Sequence, residues 1–164
     1  MKKIVSILII LLAVLEISAG PKKTSSKDTP AFRYEIECAG NGVRGTYLVR
    51  VWSYAKQAQA AMDQSRINAV HGVIFKGFGA ADGCAAQKPL AMEPECEQNN
   101  QQFFAQFFAP GGEALNYASV VPGSYEIIKC GKEFKVGAVV TVNKDELRRA
   151  LEKAEVIKAL KDGF

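Results

Sequence analysis

The chain has 164 residues, 48% of them hydrophobic and 23% charged, with a formal net charge of +4 at pH 7. That length and balance fit one globular domain able to bury a core. The basic excess is small and scattered, which excludes the clustered Lys/Arg stripe that nucleic-acid binding needs.

The first segment reads as a targeting signal. Lys2 and Lys3 precede an apolar run from Ile4 to Leu15, and small residues follow at Ser18, Ala19 and Gly20. The run is shorter than the ~20 residues a bilayer span needs, so it reads as a signal peptide, residues 1–19, cleaved after Ala19. Its two lysines and Glu16 account for one positive charge, leaving the rest near +3. Residues 20–31, "GPKKTSSKDTPA", are polar and proline-containing and read as a flexible leader. A single domain is expected over residues 32–164, exported to the periplasm or beyond. No stable membrane span is expected after cleavage.

In the stretch "ECAGNGVRGTYLVRVW", Gly40, Gly42 and Gly45 have G-x-G-x-x-G spacing. A dinucleotide loop needs a strand before these glycines and a helix after them. Tyr34, Ile36 and Cys38 do alternate with Arg33, Glu35 and Glu37, as a half-buried strand should. After Gly45, however, "TYLVRVWSY" is β-branched and aromatic, with Val49 and Val51 on one face and Leu48, Arg50, Trp52 and Tyr54 on the other. That is a second strand, and the glycines form a hairpin bend.

Residues 56–76 carry Ala58, Ala61, Ser65, Ala69 and Val73 at helical spacing, and Gly77 and Gly79 end the helix. A long loop follows, "GFGAADGCAAQKPLAMEP", of a length that calls for a purpose or a staple. A second helix is expected from Pro94 to Ala109, with Phe103, Phe104, Phe107 and Phe108 as a broad stripe. Full burial of each ring contributes about 1.5–3 kcal/mol, so the stripe reads as the main helix-to-sheet contact. Strands are then expected at Tyr117–Val121, Tyr125–Cys130 and Glu133–Val142. In the last of these Phe134, Val136, Ala138, Val140 and Val142 share a core face. Asn143 caps a final helix, with Glu146 in the capping-box position. The order ββααβββα predicts an α+β fold: an antiparallel-dominated sheet of four to five strands with two or three helices on one face.

Cys38, Cys84, Cys96 and Cys130 allow three disulfide pairings, which suit an exported chain. Cys84–Cys96 with Cys38–Cys130 is preferred, because the first closes the long loop and the second joins two strand ends. Four free thiols are the alternative.

Reactive constellations are sparse. His71 is the only histidine, and no C-x-x-C, H-E-x-x-H or G-x-S-x-G motif is present, so neither a metal nor a cofactor is expected. His71 reads as a packing residue. A dyad with Cys84 or Cys96 would need an activated thiolate. Glu93, Glu95 and Glu97 cluster near Pro94 and read first as helix N-terminal charges. Arg50, Trp52 and Tyr54 are the candidate ligand- or partner-binding residues, suited to a sugar or peptide; packing under a helix or a second copy is the plain alternative.

The segments "YEIECAGNGVRGTYLVRVWSY", "AVHGVIFKGF", "QKPL", "FFAQFF" and "KVGAVVTVNKDELRRALEKAEVIKAL" resemble small exported proteins of Bacteroides-type bacteria. The resemblance covers most of the mature chain and carries over no activity and no site residues. In element order the chain is also similar to α+β modules of small envelope and flagellar-associated lipoproteins, although it lacks their lipid-accepting cysteine. The expected function is therefore a non-enzymatic, envelope-associated binding module. It would act through the sheet face near Trp52 or the Gly79–Pro94 loop on an envelope protein, peptide or glycan. The alternative is a hydrolase or isomerase with a site near His71 and Glu93–Glu97. Self-pairing of an edge strand around Tyr117–Val121 is a third possibility, giving a monomer or weak homo-oligomer.

Overall fold

The computed structural model describes residues 32–81 and 83–159; the signal segment and leader read from the sequence lie outside the described residues. Strand β1 (Tyr34–Gly40) pairs antiparallel with β2 (Tyr47–Ala55), and the glycine stretch is the bend between them. The bend is closed by Thr46 N–H donating to the Val43 carbonyl at 3.0 Å. Gly45 sits there at φ +85°, a left-handed conformation that favours glycine. A strand rather than a helix follows the glycines, so the strand–loop–helix arrangement of a dinucleotide loop is not formed here.

Helix α1 (Ala58–Phe75) crosses to the other layer. After the long loop come two short helices, α2 (Cys96–Asn99) and α3 (Gln101–Phe107), where the sequence suggested one. The break is at Asn100, whose backbone leaves helical dihedrals at φ −116° and ψ 31°, and whose side-chain amide joins its own backbone N–H on the Cys96 carbonyl at 2.9 Å. A 3-10 turn, Glu113–Tyr117, takes the start of the strand expected at Tyr117, leaving β3 as only Ala118–Val120. The hairpin of β4 (Glu126–Cys130) and β5 (Glu133–Val142) then leads into α4 (Lys144–Lys153).

The five strands form one antiparallel sheet in the order β1-β2-β5-β3, with β4 also on β5, beyond the end of β3. This is the expected α+β architecture. Central β5 shows why: Val136, Ala138, Val140 and Val142 are fully buried, and Val49 and Val51 of neighbouring β2 are buried with them. Val70, Val73 and Ile74 of α1 and Leu147 and Leu151 of α4 cover that face. Buried and part-buried polar groups are paired rather than stranded. Asn68 of α1 donates to the Ser53 hydroxyl of β2 at 2.8 Å, and Arg66 donates to the carbonyls of Ala118 and Leu115.

The phenylalanine stripe is buried as expected, with Phe104 and Phe107 inside, but its ring contacts lie elsewhere. Phe104 meets Phe75 of α1, Phe107 stacks on Tyr117, and Phe108 meets Phe32 and His71. The stripe secures helix to helix more than helix to sheet.

The disulfide is Cys38–Cys84, with Cys96 and Cys130 free, so neither preferred pairing forms. Strand order explains the first failure: Cys38 is on β1 and Cys130 on β4, three strands apart at ~4.8 Å per strand. Cys96 is unavailable to Cys84 because its buried thiol faces the Val156 carbonyl at 3.4 Å. The bridge nevertheless staples the long loop, now onto the sheet. The Phe78–Gln87 bridge and a hydrogen bond from Tyr47 to Gln87 at 2.8 Å hold the same loop.

Candidate functional site

Alternation along β2 buries Val49, Val51 and Ser53 and turns Arg50, Trp52 and Tyr54 to the opposite face, which no helix among the described residues covers. All three predicted residues therefore come together, at successive positions on one strand. The register then supplies neighbours that the β2 pattern alone could not name. Glu37 and Val139 stand opposite Arg50, Glu35 and Gly137 opposite Trp52, and Lys135 opposite Tyr54.

Trp52 lies across Gly137. A Cβ placed on that glycine would come within 2.6–2.9 Å of the indole six-membered ring, so only glycine lets the ring lie this close to β5. The indole N–H donates to Glu37 at 3.0 Å. Tyr54 donates its phenolic proton to Glu35, and the Lys135 ammonium donates to the same carboxylate at 2.9 Å. Tyr54 and Lys135 together hold Glu35 below the ordinary carboxylate range, and Tyr54 and Glu35 hold Lys135 above the ordinary lysine value. Lys135 lies 4.8 Å from the Trp52 ring centroid and 5.3 Å from that of Tyr54, while the Arg33 guanidinium lies 5.0 Å from the Tyr54 ring. Arg50 bridges Glu126 at 3.4 Å and Glu37 at 3.8 Å.

The result is a half-exposed platform of two aromatic rings, fixed at their polar edges by carboxylates of the neighbouring strand. Arg33, Arg50 and Lys135 face Glu35, Glu37, Glu126 and Glu133, so the charges nearly balance and are paired with one another. Such a surface has no field for a polyanion. It offers ring faces and a fixed set of donors and acceptors, as suits a neutral polar ligand. Arg33, Glu35 and Glu37 were legible as one face of the first strand. Lys135, Gly137 and Glu126 required the register of β5.

His71 belongs to a different place. It is buried, stacked on Phe32 at 3.7 Å between centroids, and contacted by Phe75 and Phe108. Tyr34 and Nδ1 are 2.7 Å apart, and Nε2 and Glu97 are 3.3 Å apart. The network assigns the tautomer: Tyr34 donates to Nδ1, and Nε2–H donates to the Glu97 carboxylate. Burial, aided by Lys76, lowers the His71 pKa to about 3, so the ring stays neutral. Burial, with Glu97 adding to it, raises the Tyr34 phenol, which keeps the proton it donates. Of the carboxylate cluster only Glu97 reaches His71; Glu93 pairs with Lys158 at 2.7 Å.

A cavity of about 490 Å³ lies beside this chain of contacts, lined by Glu97, Phe32 and residues of α2, α3 and Phe108, but not by His71. A second, about 660 Å³, lies between the 90–96 segment and residues 156–159, with Cys96 in its wall. Among the described residues no group of three or more His, Cys, Asp or Glu side chains is placed to hold a metal ion. Among the same residues no helix is long and apolar enough to cross a membrane. Compared with known proteins, the chain matches no family model, no curated protein and no solved structure.

Proposed function

We propose that this is an exported, non-enzymatic, envelope-associated binding module whose ligand, a glycan or peptide, lies on the Arg50–Trp52–Tyr54 face. The observation that carries the reading is the Trp52–Tyr54 platform, on the sheet face opposite the described helices and held by Glu35 and Glu37. The Cys38–Cys84 bridge is compatible with an oxidising, exported location. Trp52 is the only tryptophan, so its fluorescence reports on this face alone. Titration with envelope glycan fragments and with envelope-derived peptides is expected to give a saturable change with one of the two classes. Arg50→Ala and Tyr54→Phe are expected to weaken it about tenfold, as loss of a hydrogen bond or cation contact would. Unchanged fluorescence with both classes, or equal affinity in both variants, removes this face from the function.

A hydrolase or isomerase near His71 is the second reading, favoured by the Tyr34–His71–Glu97 chain of hydrogen bonds. General acid–base work would require Phe32 to leave the imidazole it covers, because a base must reach its substrate's proton.

A further inference from the structure

The sheet is most open along β4. Among the described residues that strand pairs only with β5, and all five of its residues are exposed. Among the described residues, its backbone makes no hydrogen bond outside the β5 ladder. Half of its peptide groups therefore point at solvent, ready for another strand. Exposed apolar side chains concentrate here: Val121 at 36%, Tyr125 at 37%, Ile127 at 53% and Ile128 at 39%. Cross-strand pairing sets Ile127 and Lys129 on the helix side, opposite Val136 and Phe134. It sets Glu126, Ile128 and Cys130 on the outer side. The strand thus carries an exposed isoleucine on each face, and its outer edge is unpaired among the described residues.

We propose that a second copy of this chain pairs antiparallel with β4 across a two-fold axis at Ile128, joining the two five-stranded sheets into one. The sequence of the strand selects this occupant. Residues directly opposite in an antiparallel pair share a face, so a two-fold axis must pass through a residue of the strand. Centred on Ile128, the strand pairs along its whole length. Ile128 meets Ile128 of the second copy, Glu126 stands opposite Cys130, and Ile127 lies against the aliphatic stem of Lys129. No like charges oppose each other. Centring on Lys129 would set lysine against lysine, and centring on Ile127 would leave Cys130 without a partner on the strand.

The free thiol of Cys130 makes the register measurable. In the proposed pairing Cys130 is four residues from Cys130 of the other copy, roughly 13 Å along the strand, too far for a disulfide. The unaltered protein is therefore expected to show a concentration-dependent dimer by sedimentation or light scattering without a covalent link through Cys130. Glu126→Cys places a thiol directly opposite Cys130 of the second copy, and mild oxidation is expected to yield a dimer linked 126 to 130. Within one chain these positions are too far apart to join. Ile128→Cys is expected to link to itself across the axis, and Ile128→Lys to leave only monomer while retaining the circular dichroism of the unaltered protein. Monomer at all concentrations, with no more cross-linking in Glu126→Cys than in the unaltered chain, overturns the proposal. So does a Cys130–Cys130 link as the main product, which requires another register.

Discussion

Tyr34 from β1, His71 from α1 and Glu97 from α2 meet in a single line of hydrogen bonds, under the ring of Phe32. The folded chain holds His71 at a pKa of about 3, against an ordinary value of 6.5. Between those values the unfolded chain binds a proton that the folded chain refuses. Stability from this residue is therefore complete above about pH 6.5 and is lost as pH falls toward about 3, at up to ~1.4 kcal/mol per pH unit. Urea melts of the protein and of His71→Gln, at steps from pH 7 to pH 4, are expected to diverge on the acid side, with the shallower slope in the variant. Glutamine can accept from Tyr34 and donate to Glu97, so the variant retains the contacts while losing the titration. Parallel curves would show that another group carries the acid sensitivity. The sequence reading of His71 as a packing residue matches its burial. Its partners were out of reach, because Tyr34 and Glu97 lie 37 and 26 residues away and nothing local marks either one.

At the scale of elements, legibility followed periodicity. The two-residue alternation of β5 and the spacing of small residues in α1 report burial directly, and both elements lie where the pattern put them. The Asn143 cap was also legible, since its side chain accepts from the Glu146 amide at 3.4 Å. Asn143→Ala is expected to cost about 1 kcal/mol in denaturant melts, and Asn143→Ser much less, because serine keeps an acceptor for that amide. The break between α2 and α3 was not legible, since the phenylalanine stripe begins only at Phe103 and the polar residues before Asn100 carry no apolar period that a break could interrupt. The break is one residue's departure from helical dihedrals, at Asn100 with its side-chain amide on the Cys96 carbonyl, which no apolar period records. The candidate face was read in part for the same reason. Arg50, Trp52 and Tyr54 declare themselves by alternation, whereas Gly137 under the indole and Lys135 between the rings depend on strand register.

At the scale of the whole molecule, helices cover one side of the sheet and the platform occupies the other, with β1 and β4 at opposite margins. The Cys38–Cys84 bridge ties the long loop to the β1 margin across a separation of 46 residues. A loop of that size restricts the unfolded chain by about 4 kcal/mol on the chain-entropy account. Replacing both cysteines with serine is expected to lower stability by a similar amount, and the denatured, unreduced protein is expected to show two reactive thiols, Cys96 and Cys130. Four thiols in that assay would contradict the bridge. Cys38 and Cys84 are also the first two cysteines in chain order. Where a polypeptide emerges N-terminus first into an oxidising compartment, this pair can close before Cys96 or Cys130 arrives to compete. Correct joining is then a matter of timing, and needs no later reshuffling by an isomerase.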